Sequence, residues 1–236
     1  MLTYDAWYAH VWMDHGFGTA DTPWVDGVPV CLAGRSVPPR RIVRMQQVHG
    51  ATVRVVTAAL CGTCVPGADA LITADNDVWL LARTADCIPL LLCDPVRRVV
   101  AAVHSGREGT RQNIAGACVR RMTDDLGCRA ADIQAVLGPS IFAANYPVDE
   151  AVFGLFAQSA RTPQRFPWLD LRAEVVAQLL DSGLAAGHVA RLEHDTAADP
   201  RFASWRRDRT NLRLVNVIGK IWVDENTPSA YEVKPQ

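Results

Sequence analysis

"RTADCIPLLLCDPVRRVVAAVHSG", residues 83–106, decides how this chain is built. Two short apolar runs flank a polar turn at Asp94-Pro95-Val96-Arg97, where proline suits the second turn position. Runs this short and this apolar predict two buried strands joined as a hairpin. With the turn centred on Pro95 and Val96, Cys87 faces His104 directly across the pair, at a Cβ separation of roughly 4.5–5.5 Å. A shift of one residue would put them on opposite faces. The pair suits two ligands of one metal, with Zn–S near about 2.3 Å and Zn–N about 2.0–2.1 Å. It equally suits a thiol nucleophile with an imidazole base. Against both stands the plainer reading of a small core cysteine and a hydrogen-bonded structural histidine. A third donor would favour the metal, and His49, at a strand end before Gly50, is the best placed.

Upstream, "RIVRMQQVHGATVRVV" (41–56) carries two short β-rich runs around His49-Gly50, and "VWLLARTADC" (78–87) is a strand leading into the hairpin. "GTRQNIAGACVRRMTDDLG" (109–127) predicts a helix, with Ile114, Cys118, Met122 and Leu126 on one face and Gly127 just past its end. "PVDEAVFGLFAQSA" (147–160) predicts another that starts at Pro147. "DLRAEVVAQLLDSG" (170–183) predicts a third, capped by Asp170 and stopped by Gly183. "DIQAVLGPSI" (132–141), "HVARLEH" (188–194) and "NLRLVNVIGKIWV" (211–223) supply further strands. Hairpins mix with helices without strict β-α-β alternation, which predicts an α+β, mixed-sheet domain over residues 1–236.

The 236 residues carry a net charge of −1, with 49% hydrophobic and 21% charged side chains, the balance of a globular domain with a sizeable core. That charge speaks against nucleic-acid binding by electrostatics alone. No apolar stretch approaches the roughly 20 residues of a membrane span. The N-terminal residues lack a basic start followed by an apolar run, so neither a signal peptide nor a membrane partner is expected, and a cytoplasmic location is. Seven cysteines, an odd number, then read as reduced thiols. Cys61 and Cys64 have metal-knuckle spacing, but no second pair completes a structural zinc site and Pro66-Gly67 follows instead of a helix, so they read as loop thiols. His15 reads as a loop histidine. Arg206, Arg207 and Arg209 read as a solvated face that becomes a phosphate site if the fold brings it to the cleft.

Taken in order, Gln47-Val48-His49-Gly50, Ala68-Asp69-Ala70-Leu71-Ile72-Thr73, Thr84-Ala85-Asp86-Cys87-Ile88-Pro89, His104-Ser105-Gly106, Gly138-Pro139-Ser140-Ile141 and Ser204-Trp205-Arg206-Arg207-Asp208 resemble the bacterial laccase-domain family. Its members are described as polyphenol oxidases, as purine nucleoside phosphorylases with adenosine deaminase activity, and as peptidoglycan-editing factors. The resemblance implies a layered α/β/β/α arrangement of mixed sheets in a single domain. It also implies one metal, usually assigned as zinc, on His49, Cys87 and His104. The chain departs from the family pattern at several points. Where the family reads H-A-G-W-R-G, this chain has His104-Ser105-Gly106-Arg107-Glu108-Gly109; the early G-F-S-T-R lacks its arginine, with Ala20 in its place; Pro147 stands inside Y-E-V; and His194 replaces a cysteine.

A zinc ion with three protein ligands keeps an open fourth position, the catalytic pattern, and acidifies a water bound there. The resemblance therefore implies zinc-dependent purine nucleoside phosphorolysis, with adenosine deamination beside it. Cys87 and His104 are the catalytic candidates, and Arg206, Arg207 and Arg107 the contacts to nucleoside and phosphate. Copper is the alternative metal, since two histidines and a cysteine also form blue-copper sites. Multi-copper oxygen reduction needs many more histidines than the six present. A peptidoglycan-precursor editing hydrolase, a metal-free Cys-His hydrolase and a zinc-stabilised binding protein are the remaining readings.

Overall fold

The hairpin is present in the computed structural model, which describes residues 1–32 and 35–221. In chain order the strands are β1 (Met13–Phe17), β2 (Val30–Leu32), β3 (Arg35–Val37), β4 (Ile42–Met45), β5 (Val53–Val55), β6 (Cys64–Val65), β7 (Ala70–Thr73), β8 (Val78–Thr84), β9 (Ile88–Asp94), β10 (Val99–Ser105), β11 (Gln134–Leu137), β12 (Val189–Arg191) and β13 (Leu214–Lys220). The helices are α1 (Arg107–Arg111), α2 (Ile114–Leu126), α3 (Glu150–Ala157), α4 (Leu171–Asp181) and α5 (Trp205–Asp208). Of the last expected strand, Trp222 and Val223 lie outside the described residues.

The strands form two mixed sheets and a ribbon. One sheet runs β1-β13-β8-β4-β6, the other β12-β11-β9-β10-β7-β5, and β2 pairs with β3. The sheets pack face to face. Phe17, Val43, Leu80 and Ile218 of the first meet Leu71, Leu91, Val100 and Val136 of the second in a buried apolar seam. Alternation along β9 and β10 sends Leu90, Leu92, Ala101 and Val103 the other way, onto Ile114, Cys118 and Met122 of α2 and onto Val175 and Leu179 of α4. The ribbon residues Val30, Leu32 and Val37 cover Ile42, Trp79, Leu81 and Val217 on the outer face of the first sheet. The layer order is thus ribbon, sheet, sheet, helices. The central strands are buried on both faces, which is why their sequences run apolar without a break.

Three local expectations change. Asp94 pairs with Val99, not Arg97, so the loop is Pro95–Arg98 and the register is two residues from the expected one. Proline fits the two-residue hairpin turns poorly. Here Asp94 accepts the Val96 and Arg97 N–H groups at 2.8 and 2.9 Å, and Arg98, at φ 52°, takes the left-handed position. His104 then lies opposite Pro89, with Cys87 just before the strand begins. The single helix expected over 109–127 is broken at Asn113, whose φ is 62° and whose side chain accepts Gly116 N–H to cap α2. The helix expected from Pro147 begins at Glu150, where Asp149 accepts Val152 N–H at 2.8 Å; Pro147 is extended beside Trp168.

Candidate metal centre and substrate cavity

Two loops cross from one sheet to the other at the same end of the seam. The β4–β5 crossing carries His49, and the β8–β9 crossing carries Cys87. His104, the last residue but one of β10, lies on the seam side, the side to which Val100 and Ala102 also point. The ligand atoms of His49, Cys87 and His104 all lie within 4.8 Å of one another, a spacing one ion bridges. His104 is buried, Cys87 half-buried and His49 exposed, so the trio opens outward.

Asp69, fully buried just before β7, organises this centre. Its Oδ1 lies 2.8 Å from His104 Nδ1 and accepts the His49 N–H at 3.0 Å. Its Oδ2 accepts the Gly50 and Val48 N–H groups at 2.8 and 3.2 Å. An imidazole that donates Nδ1–H to a carboxylate presents Nε2 as its ligand atom. The same carboxylate holds His49 at φ 61°, a left-handed conformation that a histidine does not favour unaided. Burial pushes the Asp69 carboxyl up, but hydrogen bonds from His104, Gly50 and Val48 and the charge of His104 outweigh it and hold it below the ordinary range.

Cys87 and His104 are electrostatically matched. Burial raises the thiol, yet the charge and hydrogen bond of His104, helped by His49, bring it down to about 6. Burial lowers His104, yet Cys87 and Asp69 lift it to about 9. Thiolate and neutral imidazole are the forms metals bind, and a bound cation would replace the imidazolium proton as the partner of the sulfur. Thiolate, two imidazoles and a carboxylate behind one of them form a donor set that fits zinc and, by ligand type, copper. Gly106 permits this crowding: a Cβ there would stand 3.1 Å from both Cys87 Sγ and His49 Cδ2.

Two further side chains brace the crossings. Gln47 Nε2 donates to the Arg83 carbonyl at 2.7 Å, and Arg83 N–H donates back to Gln47 Oε1 at 2.8 Å. Asp86, at φ 88°, accepts the Thr196 hydroxyl at 2.7 Å and the Arg206 N–H at 2.6 Å. Asp86 thereby ties the cysteine loop to α5.

The centre opens into a cavity of about 650 Å³ whose wall includes Arg83, Arg107, Arg206, Arg209 and Arg213, with Tyr146 and Trp205. Arg107 and Arg206, both expected at the substrate, line this cavity. Arg206 Cζ sits 5.0 Å over the Tyr146 ring, and Arg107 hydrogen-bonds Tyr146. Arg207 is not in the wall. Its guanidinium donates to the carbonyls of Thr196, Asp199 and Phe202 and pairs with Asp208. Cys61, hydrogen-bonded to the Arg41 carbonyl, and Cys64 stand outside the donor trio. His15 is not in a loop but buried on β1, its Nε2 accepting the Tyr4 N–H at 2.9 Å. His194 packs against Phe202. The sequence alone gives no sign of the parts played by Gln47, Tyr146, Trp205, Arg83 and Arg213. For Asp69 the one sign is a carboxylate inside the apolar run 68–72.

Among the described residues no helix is long and apolar enough to cross a membrane. Residues 30–222 match a family model described as multi-copper polyphenol oxidoreductase laccase. A purine nucleoside phosphorylase of Streptomyces coelicolor is 40% identical over 207 residues, covering 82% of this chain and 80% of that protein. One of Corynebacterium glutamicum is 35% identical over 189 residues, covering 76% and 74%. The crystal structure of YlmD from Geobacillus stearothermophilus superposes with a TM-score of 0.79 at 27% identity, covering 89% of this chain and 93% of that one. Fold, motif order and these likenesses agree: the chain belongs to the laccase-domain family of multi-copper polyphenol oxidoreductases, which resembles enzymes named purine nucleoside phosphorylases over most of its length.

Proposed function

We propose that this chain cleaves purine nucleosides by phosphorolysis, with zinc held by His49, Cys87 and His104 and with adenosine deamination as a second activity. The observation that carries the reading is the donor trio opening into a wall of arginines. The names of the relatives support it. Bound at the trio, zinc supplies Lewis-acid polarisation of an oxygen ligand. The chain's own residues do the rest. Arg107 and Arg206, gathered around Tyr146, hold orthophosphate by charge-assisted hydrogen bonds. Asp86 fixes the backbone from which Arg206 projects. An orthophosphate oxygen bonds to C1′ of the ribose as the C1′–N9 bond breaks, and the purine leaves with a proton.

The test is metal analysis of the purified protein, followed by turnover of inosine and adenosine with and without phosphate. One zinc per chain, release of ribose 1-phosphate and loss of activity on chelation are expected. Arg206→Ala should lower kcat/KM for phosphate about tenfold or more, the worth of one charged contact. Phosphate-independent deamination should change less. If metal-loaded protein leaves both nucleosides untouched, the assignment fails. Oxidation of phenols by the copper form, or cleavage of a peptidoglycan precursor, would then identify which other branch of the family applies.

A further inference from the structure

The cavity holds more positive charge than one phosphate needs. None of its five arginines forms an ion pair with a carboxylate among the described residues. The two acids in the wall are already engaged: Asp86 by Thr196 and the Arg206 backbone, Glu108 by Arg111 and Gln112. The arginines also divide into two groups. Arg107 and Arg206 share Tyr146. Arg209 and Arg213 share Trp205, their Cζ atoms 5.8 and 6.0 Å from its ring, with Trp205 itself 44% exposed. Orthophosphate at Tyr146 leaves the second group, and Arg83, as unmatched like charges on one wall. Such charges repel one another and are relieved by a second anion.

We propose that the cavity takes purine nucleoside 5′-phosphates, seating orthophosphate at Arg107 and Arg206 and the substrate's own 5′-phosphate at Arg209 and Arg213. This rests on the phosphorolysis reading of the same cavity and names its substrate class. The reaction balances as before: an orthophosphate oxygen forms a bond to C1′, the C1′–N9 bond breaks with its electrons to the purine, and the purine takes a proton from solvent. The sugar product is ribose 1,5-bisphosphate.

The experiment compares binding of AMP and adenosine to the metal-loaded full chain by calorimetry at saturating orthophosphate, so that the first subsite is filled. AMP should bind about tenfold tighter or more, as expected for an added phosphate on two guanidiniums. The preference should shrink as salt rises. Arg209→Gln with Arg213→Gln, which keeps much of each side chain and removes its charge, should abolish the preference. Equal affinities would overturn the proposal. So would a preference that saturating orthophosphate removes, because both phosphates would then share one subsite, or one that survives the double variant. Turnover separates this from the underlying reading. If AMP wins in binding but neither compound is cleaved, the phosphorolysis reading fails and the nucleotide site stands. If adenosine is cleaved and AMP binds no better, the reverse holds.

Discussion

Asp69 shows how much one carboxylate can organise. It orients the His104 ring and gathers three consecutive N–H groups of the His49 loop. Asp69→Asn keeps the shape but turns half of that acceptor into a donor facing backbone donors. Metal affinity should fall about 10–100-fold, the usual effect of losing such a partner. Competition with a chromophoric chelator measures it, and circular dichroism of the metal-free variant checks that the fold persists. Arg206 and Arg207 make the complementary point. They are neighbours in sequence and equivalent in composition, yet about 100° of helical rotation separates them, so one faces the cavity and the other closes a loop. Arg207→Ala should therefore cost stability, about 2 kcal/mol for its buried-side hydrogen bonds, and leave the KM for phosphate near wild type; a denaturation curve alongside phosphate kinetics decides. No property of the pair "RR" distinguishes them before α5 is placed.

Among the elements, the hairpin was the most legible and its register the least. Apolar runs of strand length marked β9 and β10, and a turn between them was unavoidable. The register was set by something the pattern does not encode: the Asp94 side chain capturing two N–H groups and Arg98 accepting a left-handed conformation. The slip was of two residues, and side chains alternate with period two, so Cys87 and His104 kept a common side. An odd slip would have destroyed the centre. Likewise the apolar stripe of α2 was visible, while its first turn was lost to Asn113. Gly106, between β10 and α1, turns this geometry into a test. Gly106→Ala introduces a Cβ 3.1 Å from two ligand side chains at an otherwise permissive position, φ −82°. Metal content should drop while the metal-free protein melts near wild type, which elemental analysis and calorimetry report together.

For the whole molecule, the two-sheet sandwich could be expected only through the family resemblance, because a sequence read alone does not say which strand joins which sheet. β4 and β5 are close in sequence but belong to different sheets, and β1 pairs with β13 from the far end of the chain. The sandwich buries His15 near Trp7 and Phe17. Burial pushes its imidazole down to about 4, with Asp5 opposing and His10 adding to the effect. The unfolded chain takes that proton near the ordinary value of about 6.5. Stability from His15 is therefore complete above that value and is lost as pH falls toward 4, by up to about 3 kcal/mol. Denaturant midpoints between neutral and acid pH should show the slope, and His15→Gln should flatten it.

The three donor residues come from separate stretches of chain, two of them crossings between the sheets, so an ion that binds them also rivets the sandwich shut at one end. With zinc bound there as proposed, folding and metal uptake would be linked equilibria. At free metal of about 100 times the dissociation constant the native state gains about 2.7 kcal/mol, or roughly 5–10 °C in melting temperature for a chain of this size. Titrating zinc into the metal-free protein should raise the melting point with the logarithm of free metal and slow amide exchange in both crossing loops together. Under the same proposal, the folded fraction of the protein in a cell would follow metal supply.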